Sequence, residues 1–77
     1  MSIKVRYFAS LKELVGHGEA SCNVSAPLSA RAVWQQLNPQ QPMPNNVLAA
    51  INMDYVELDA LVADGDELAF FPPVTGG

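Results

Sequence analysis

One segment limits what this chain can fold into. After Ser29, the apolar residues Ala30, Val33, Trp34 and Leu37 fall at i, i+3, i+4 and i+7, the spacing of one face of an α-helix. Ser29 has the side chain of an N-cap. Pro39, Pro42 and Pro44, with Asn38, Asn45 and Asn46 around them, end regular structure beyond the helix and mark a loop. The chain therefore has one main helix, and its apolar stripe must find a surface to cover.

The remaining segments supply that surface as strands. Ile3 to Tyr7 alternates with period two, so Ile3, Val5 and Tyr7 share a core face and Phe8 falls on the opposite one. Ser10 with Glu13 three residues on fits a capping box, and Leu11, Leu14 and Val15 give a short helix that stops at Gly16. Glu19 to Val24 forms a second strand beside the first, and Ala26-Pro27 interrupts it. Val47 to Ile51 suits a buried strand, with Asn52-Met53-Asp54 turning into Tyr55-Val56. Asp64-Gly65-Asp66 is a tight turn into Glu67 to Phe71, where Leu68 and Phe70 lie on one face and Ala69 and Phe71 on the other. The order β, short α, β, α, β, β, β places one helix across one face of a mixed sheet of about five strands. The first and last strands then pair centrally. This is an α+β fold of the β-grasp kind, with Trp34, Leu37, Ile3, Val5, Leu48, Leu68 and Phe70 in the core.

At 77 residues and 49% hydrophobic content, the chain supports a single small domain, residues 1–71, followed by a tail, residues 72–77. It has no stretch long and apolar enough to span a membrane and no secretory signal, so a soluble protein of the reducing cytoplasm is expected. Cys22 and His17 are each the sole residue of their kind, which leaves little material for a metal site or a Cys/His nucleophile. Asp-Gly-Asp between two strands reads as a turn, not as a metal site.

A net charge of -4 argues against nucleic acid as a partner. Lys4, Arg6, Lys12 and Arg31 all precede position 32, whereas six of the eight acids lie between Asp54 and Glu67. That acidic surface is either a solvated face or a patch that steers a basic partner.

The tail is Pro72-Pro73-Val74-Thr75-Gly76-Gly77. The two prolines fix φ and bias the segment toward an extended course, reaching about 18 Å at the polyproline rise. Two glycines without Cβ atoms fit a channel too narrow for side chains. The last carboxylate, on Gly77, is open to chemistry. An exposed face carrying Phe8, Ala69 and Phe71, with Tyr55 expected beside them, next to this tail marks a protein interface.

The run Leu61 to Gly77, with Phe70-Phe71-Pro72-Pro73-Val74-Thr75-Gly76-Gly77 at its end, resembles the C-terminus of the MoaD family, the small subunits of molybdopterin synthase. Val5 to Gly16 resembles the family's first strand and helix, and Leu48 to Asn52 its middle strand, so the likeness covers essentially the whole chain. Lys12 and Tyr55 depart from the family pattern, which commonly has arginine and an aliphatic residue there. The resemblance implies a ubiquitin-like sulfur carrier whose Gly77 is adenylated by an ATP-dependent, E1-like enzyme and converted to a thiocarboxylate with sulfur from a donor system. It implies insertion of the tail into a large subunit, in a heterotetramer. There the sulfur attacks precursor Z, cyclic pyranopterin monophosphate, to build the molybdopterin dithiolene.

By the same resemblance, Val74, Thr75 and Gly76 line the partner's channel, and Phe8 and Phe71 pack against partners. The chain itself is then the non-catalytic, sulfur-donating subunit and binds no cofactor or metal. Three alternatives share the fold: a carrier for another pathway such as thiamine thiazole synthesis, a ubiquitin-like modifier joined to lysines, and a plain interaction domain.

Overall fold

The computed structural model describes residues 2–73. The elements in chain order are β1 (Ser2–Tyr7), α1 (Ser10–Val15), β2 (Glu19–Asn23), β3 (Leu28–Ser29), α2 (Ala30–Leu37), β4 (Leu48–Ile51), β5 (Asp54–Val56), β6 (Leu61–Val62) and β7 (Glu67–Phe71). Five strands form a mixed sheet in the order β2-β1-β7-β4-β5. As the sequence predicts, β1 and β7 lie side by side in the middle, and they run parallel. The other pairings in this sheet are antiparallel. The arrangement is a β-grasp.

Strand alternation and the helical stripe meet in one core. Ile3, Val5 and Tyr7 of β1, Leu68 and Phe70 of β7, and Ala30, Val33 and Trp34 of α2 are all buried. Trp34 stands edge-on to both Tyr7 and Phe70, with ring centroids 5.5 and 5.1 Å away. Its indole N–H would be costly to bury alone, and it donates to the Gln41 carbonyl at 2.8 Å, which ties the proline-rich loop to the helix. The Asn38 amide, just past the helix end, donates to the Tyr7 hydroxyl at 3.0 Å. Burial raises the pKa of that hydroxyl, with the Asn38 bond opposing the rise, so Tyr7 stays neutral. Cys22 is also buried, as a packing residue of β2.

Four local expectations are corrected. Leu48 is not a core residue: the register pairs Leu48 with Phe71 and Ala49 with Phe70, which turns Ala49 inward and leaves Leu48 36% exposed. Leu37 is only partly buried and packs at the margin of the core. The capping box at Ser10 does not form, because pairing of β1 continues to the Phe8 N–H and the chain reverses at Ala9, with φ 52° and no side-chain cap. Leu14 of that helix is exposed, while Leu11 is buried. A second, two-stranded ladder, Leu28 with Val62 and Ser29 with Leu61, was not expected, since two residues are too few to show a period.

The turns use their side chains. The Asp64 carboxylate accepts from the Ser2 N–H at 2.6 Å, and the Gly65 N–H donates to the Ser2 carbonyl at 2.9 Å, with Gly65 at φ 87°. The Asp-Gly-Asp turn thereby fixes the start of β1 against the start of β7. Ser29 caps α2 as predicted, its hydroxyl accepting from the Ala32 N–H at 3.1 Å. Replacing it with alanine is expected to cost about 1 kcal/mol and lower the Tm by about 4–8 °C. A thermal melt of Ser29→Ala checks this, and an unchanged midpoint would show that the cap contributes nothing.

Candidate functional site

The sheet has a second face, which no helix covers among the described residues. Because side chains alternate along each strand, the pairing that buries Val5, Tyr7, Leu68 and Phe70 sends Lys4 and Arg6 of the first strand, Phe8 just past its end, and Glu67, Ala69 and Phe71 of the last strand to this open side. Leu48 and Ala50 join from β4, and Tyr55 from β5, opposite Ala50. Phe8 reaches this face because its N–H still pairs with the Phe70 carbonyl at 3.1 Å.

Phe8 and Phe71 stack face to face, with centroids 4.7 Å apart and planes 5° from parallel. Tyr55 lies 5.9 Å from Phe71 at a tilt of 54° and is 70% exposed. The small side chains of Ala50 and Ala69 leave a hollow of about 240 Å³ below this aromatic edge, closed by Arg6, Glu67 and Met53. The face is thus apolar at one end and charged at the other. Arg6 donates to Glu19 at 3.2 Å and stands 3.9 Å from Glu67. Among the described residues its Nε is buried without a hydrogen-bond partner. A larger, open hollow of about 970 Å³ is lined by Ala9, Ser10, Lys12, Glu13, Gly16 and His17.

The β4–β5 hairpin that presents Tyr55 is braced from outside the sheet ladder. Asn52 donates its amide to Asp66 at 3.0 Å, accepts from the Glu67 N–H at 3.0 Å, and gives its own N–H to the Glu67 carbonyl at 2.8 Å. Asp66 also accepts from the Ala63 N–H at 2.9 Å. Those two hydrogen bonds, the Ala63 N–H first, hold the Asp66 carboxyl below the usual aspartate range. Both Asp66 oxygens are therefore occupied by the fold, as is the Asp64 oxygen that accepts from Ser2.

Of the residues singled out in the sequence, the structure brings Phe8 and Phe71 together and sets Tyr55 beside them. Lys12 lies on α1 with its stem over Gly18. Val74, Thr75, Gly76 and Gly77 lie outside the described residues. Sequence reading missed Arg6, Ala50 and Met53 as parts of this face. Alternation placed Arg6 on the side opposite Val5, and that signal would have found it. Ala50 and Met53 depend on the β4–β7 register and on the hairpin turn.

A ubiquitin-like β-grasp domain with an open aromatic sheet face beside its last strand defines a class of protein. The ThiS family is matched over residues 5–77, and the chain belongs to that family. It is 40% identical to the molybdopterin synthase sulfur carrier subunit of Escherichia coli, over 97% of this chain and 99% of that protein. With the human protein of the same name the identity is 32%, over 97% and 93% of the two chains. The crystal structure of SAMP1 from Haloferax volcanii matches with a TM-score of 0.77 at 25% identity, covering 100% of both chains. A complex of subunits 1 and 2 of the molybdopterin-converting factor from Helicobacter pylori shares the fold, with a TM-score of 0.65 at 22% identity. These relatives bear out the resemblance to the MoaD family seen in the sequence.

The Phe8–Phe71 stack bridges the two central strands at their shared end. In a double-mutant cycle with Phe8→Ala and Phe71→Ala, urea unfolding is expected to give a coupling of about 0.5–1.5 kcal/mol beyond the two single losses. Strict additivity would show that the rings are neighbours without an interaction of their own.

Proposed function

We propose that this chain is the sulfur carrier subunit of a molybdopterin synthase and that Gly77 is the residue that carries the sulfur. The observation that carries this reading is the stacked Phe8–Phe71 pair on an uncovered sheet face, one residue before Pro72. Full-length likeness to proteins of that name supports it. A docking face and a reactive terminus joined by two prolines are what a carrier needs: the face supplies affinity, and the tail supplies chemistry.

The chemistry follows from the weakness of a carboxylate as an electrophile. An oxygen of the Gly77 carboxylate attacks the α-phosphorus of ATP on an E1-like activating enzyme, and pyrophosphate leaves. The resulting acyl adenylate has a good leaving group. Sulfide-level sulfur released by a donor system adds to the acyl carbon and AMP departs, which leaves a thiocarboxylate. In the large subunit its sulfur attacks precursor Z, water then cleaves the acyl C–S bond of the resulting thioester and returns the Gly77 carboxylate, and two such transfers provide the dithiolene. Proton transfers fall to groups of the large subunit, with Val74, Thr75 and Gly76 in its channel and Phe8 and Phe71 against its surface. In this reading the chain holds no cofactor or metal of its own, works in the cytoplasm and assembles as a heterotetramer with the large subunit. No helix among the described residues is long and apolar enough to cross a membrane.

The likeness to SAMP1, a small archaeal modifier protein by name, favours one second reading, attachment of the tail to lysines of other proteins. The two readings part after adenylation. Incubation with the activating enzyme, ATP and a sulfur source is expected to raise the protein's mass by the difference between sulfur and oxygen, and deletion of Gly77 is expected to abolish that gain while leaving the thermal melt unchanged. Mass spectrometry of the intact chain reads both. An unchanged mass with an active enzyme set, or a gain that survives the deletion, would contradict the assignment, and adducts on lysines would select the modifier.

A further inference from the structure

The two-residue turn between β4 and β5 holds Asn52 and Met53 at φ 50° and 74°, both in the left-handed region. A tight hairpin with two positive φ values is the turn that Asn-Gly makes best, because glycine has no Cβ to clash there. Asn52 suits the first position, and its side chain is used fully by Asp66 and Glu67. Methionine at the second position is the exception. A long apolar residue there is strained, and the fold gains nothing in return, since Met53 is 90% exposed. The braced turn nevertheless carries it at the rim of the hollow formed by Ala50, Ala69, Tyr55 and Phe71.

We propose that Met53 is a docking anchor of the open sheet face, inserted into an apolar pocket of the large subunit whose rim is basic. This rests on the carrier reading given above and extends it to a residue outside the aromatic pair. The apolar requirement follows from the side chain and from its continuity with Tyr55 and Phe71. The basic rim follows from charge: Asp54 comes next in the chain, Asp66 is hydrogen-bonded to the same turn, and Glu67 pairs with Asn52. A thioether on three rotatable bonds adapts its shape to such a pocket more readily than a branched side chain.

Strain and docking predict opposite signs for one substitution. Met53→Gly removes the strained Cβ and is expected to leave the Tm unchanged or raise it by up to about 4 °C. The same variant is expected to bind the cognate large subunit about tenfold more weakly, the loss typical of truncating an interface anchor. Met53→Leu keeps an apolar side chain and is expected to bind within about threefold of the wild type. Titration calorimetry at two salt concentrations reads affinity, and wild-type binding is expected to weaken as salt rises. Wild-type affinity in Met53→Gly, or a fall in its Tm, would overturn the proposal while leaving the carrier reading intact. Failure of the wild-type chain to bind the large subunit would overturn both.

Discussion

The parallel pairing of the first and last strands is the interaction on which the rest of the structure depends. It joins segments more than sixty residues apart and so closes the domain. It also sets the parity of both strands. Once Val5 lies opposite Leu68 and Tyr7 opposite Phe70 on the helix side, Phe8 and Phe71 have no choice but the other side. A slip of one residue would exchange the core with the open face. The same pairing directs the chain out of the domain at the end of a central strand, beside the aromatic stack.

That register is held at both ends. At one end, Asp64 and Gly65 bind the backbone of Ser2, and the Lys4 N–H donates to the Asp66 carbonyl at 3.1 Å. At the other, Phe70 receives Phe8, and Trp34 wedges between Tyr7 and Phe70 from the helix side. The central residues are apolar and closely packed, and no charged residue is buried as a whole among the described residues. Stability and presentation are therefore divided between the two faces. Helix, loop and core occupy one, while the other carries exposed aromatic and apolar residues that contribute less to the fold and are available for binding.

Much of this was legible in the sequence, for identifiable reasons. Strand alternation from Ile3 to Phe8 and from Leu68 to Phe71 is unbroken, and the helical stripe at Ala30, Val33 and Trp34 is isolated by Ser29 and by prolines, so the β-grasp and the two faces followed. Reading failed where tertiary register overrides a local pattern. Val47 to Ile51 is a continuous apolar run, which gave no period to separate Ala49 from Leu48, and the pairing with Phe71 decided it. Ser10 and Glu13 match a capping box, but the pairing of Phe8 with Phe70 forces the reversal one residue earlier, at Ala9. The β3–β6 ladder is too short to leave any mark. Of the site, Phe8, Phe71 and Tyr55 were visible by alternation, whereas Met53 looked like an ordinary turn residue until its backbone angle and exposure were known.

A carrier built this way separates recognition from reaction. On the proposed reading the sheet face is preformed, so docking would need little rearrangement of the domain, and specificity would reside in side chains distant from the reacting atom. In the proposed function, the terminal carboxylate supplies the one group that changes covalently. The most direct test of this account is dithiolene formation in a reconstituted system: the thiocarboxylated chain, its cognate large subunit and cyclic pyranopterin monophosphate. Molybdopterin is expected to form with loss of sulfur from Gly77. Absence of the dithiolene, with a large subunit proven active with another carrier, would contradict it.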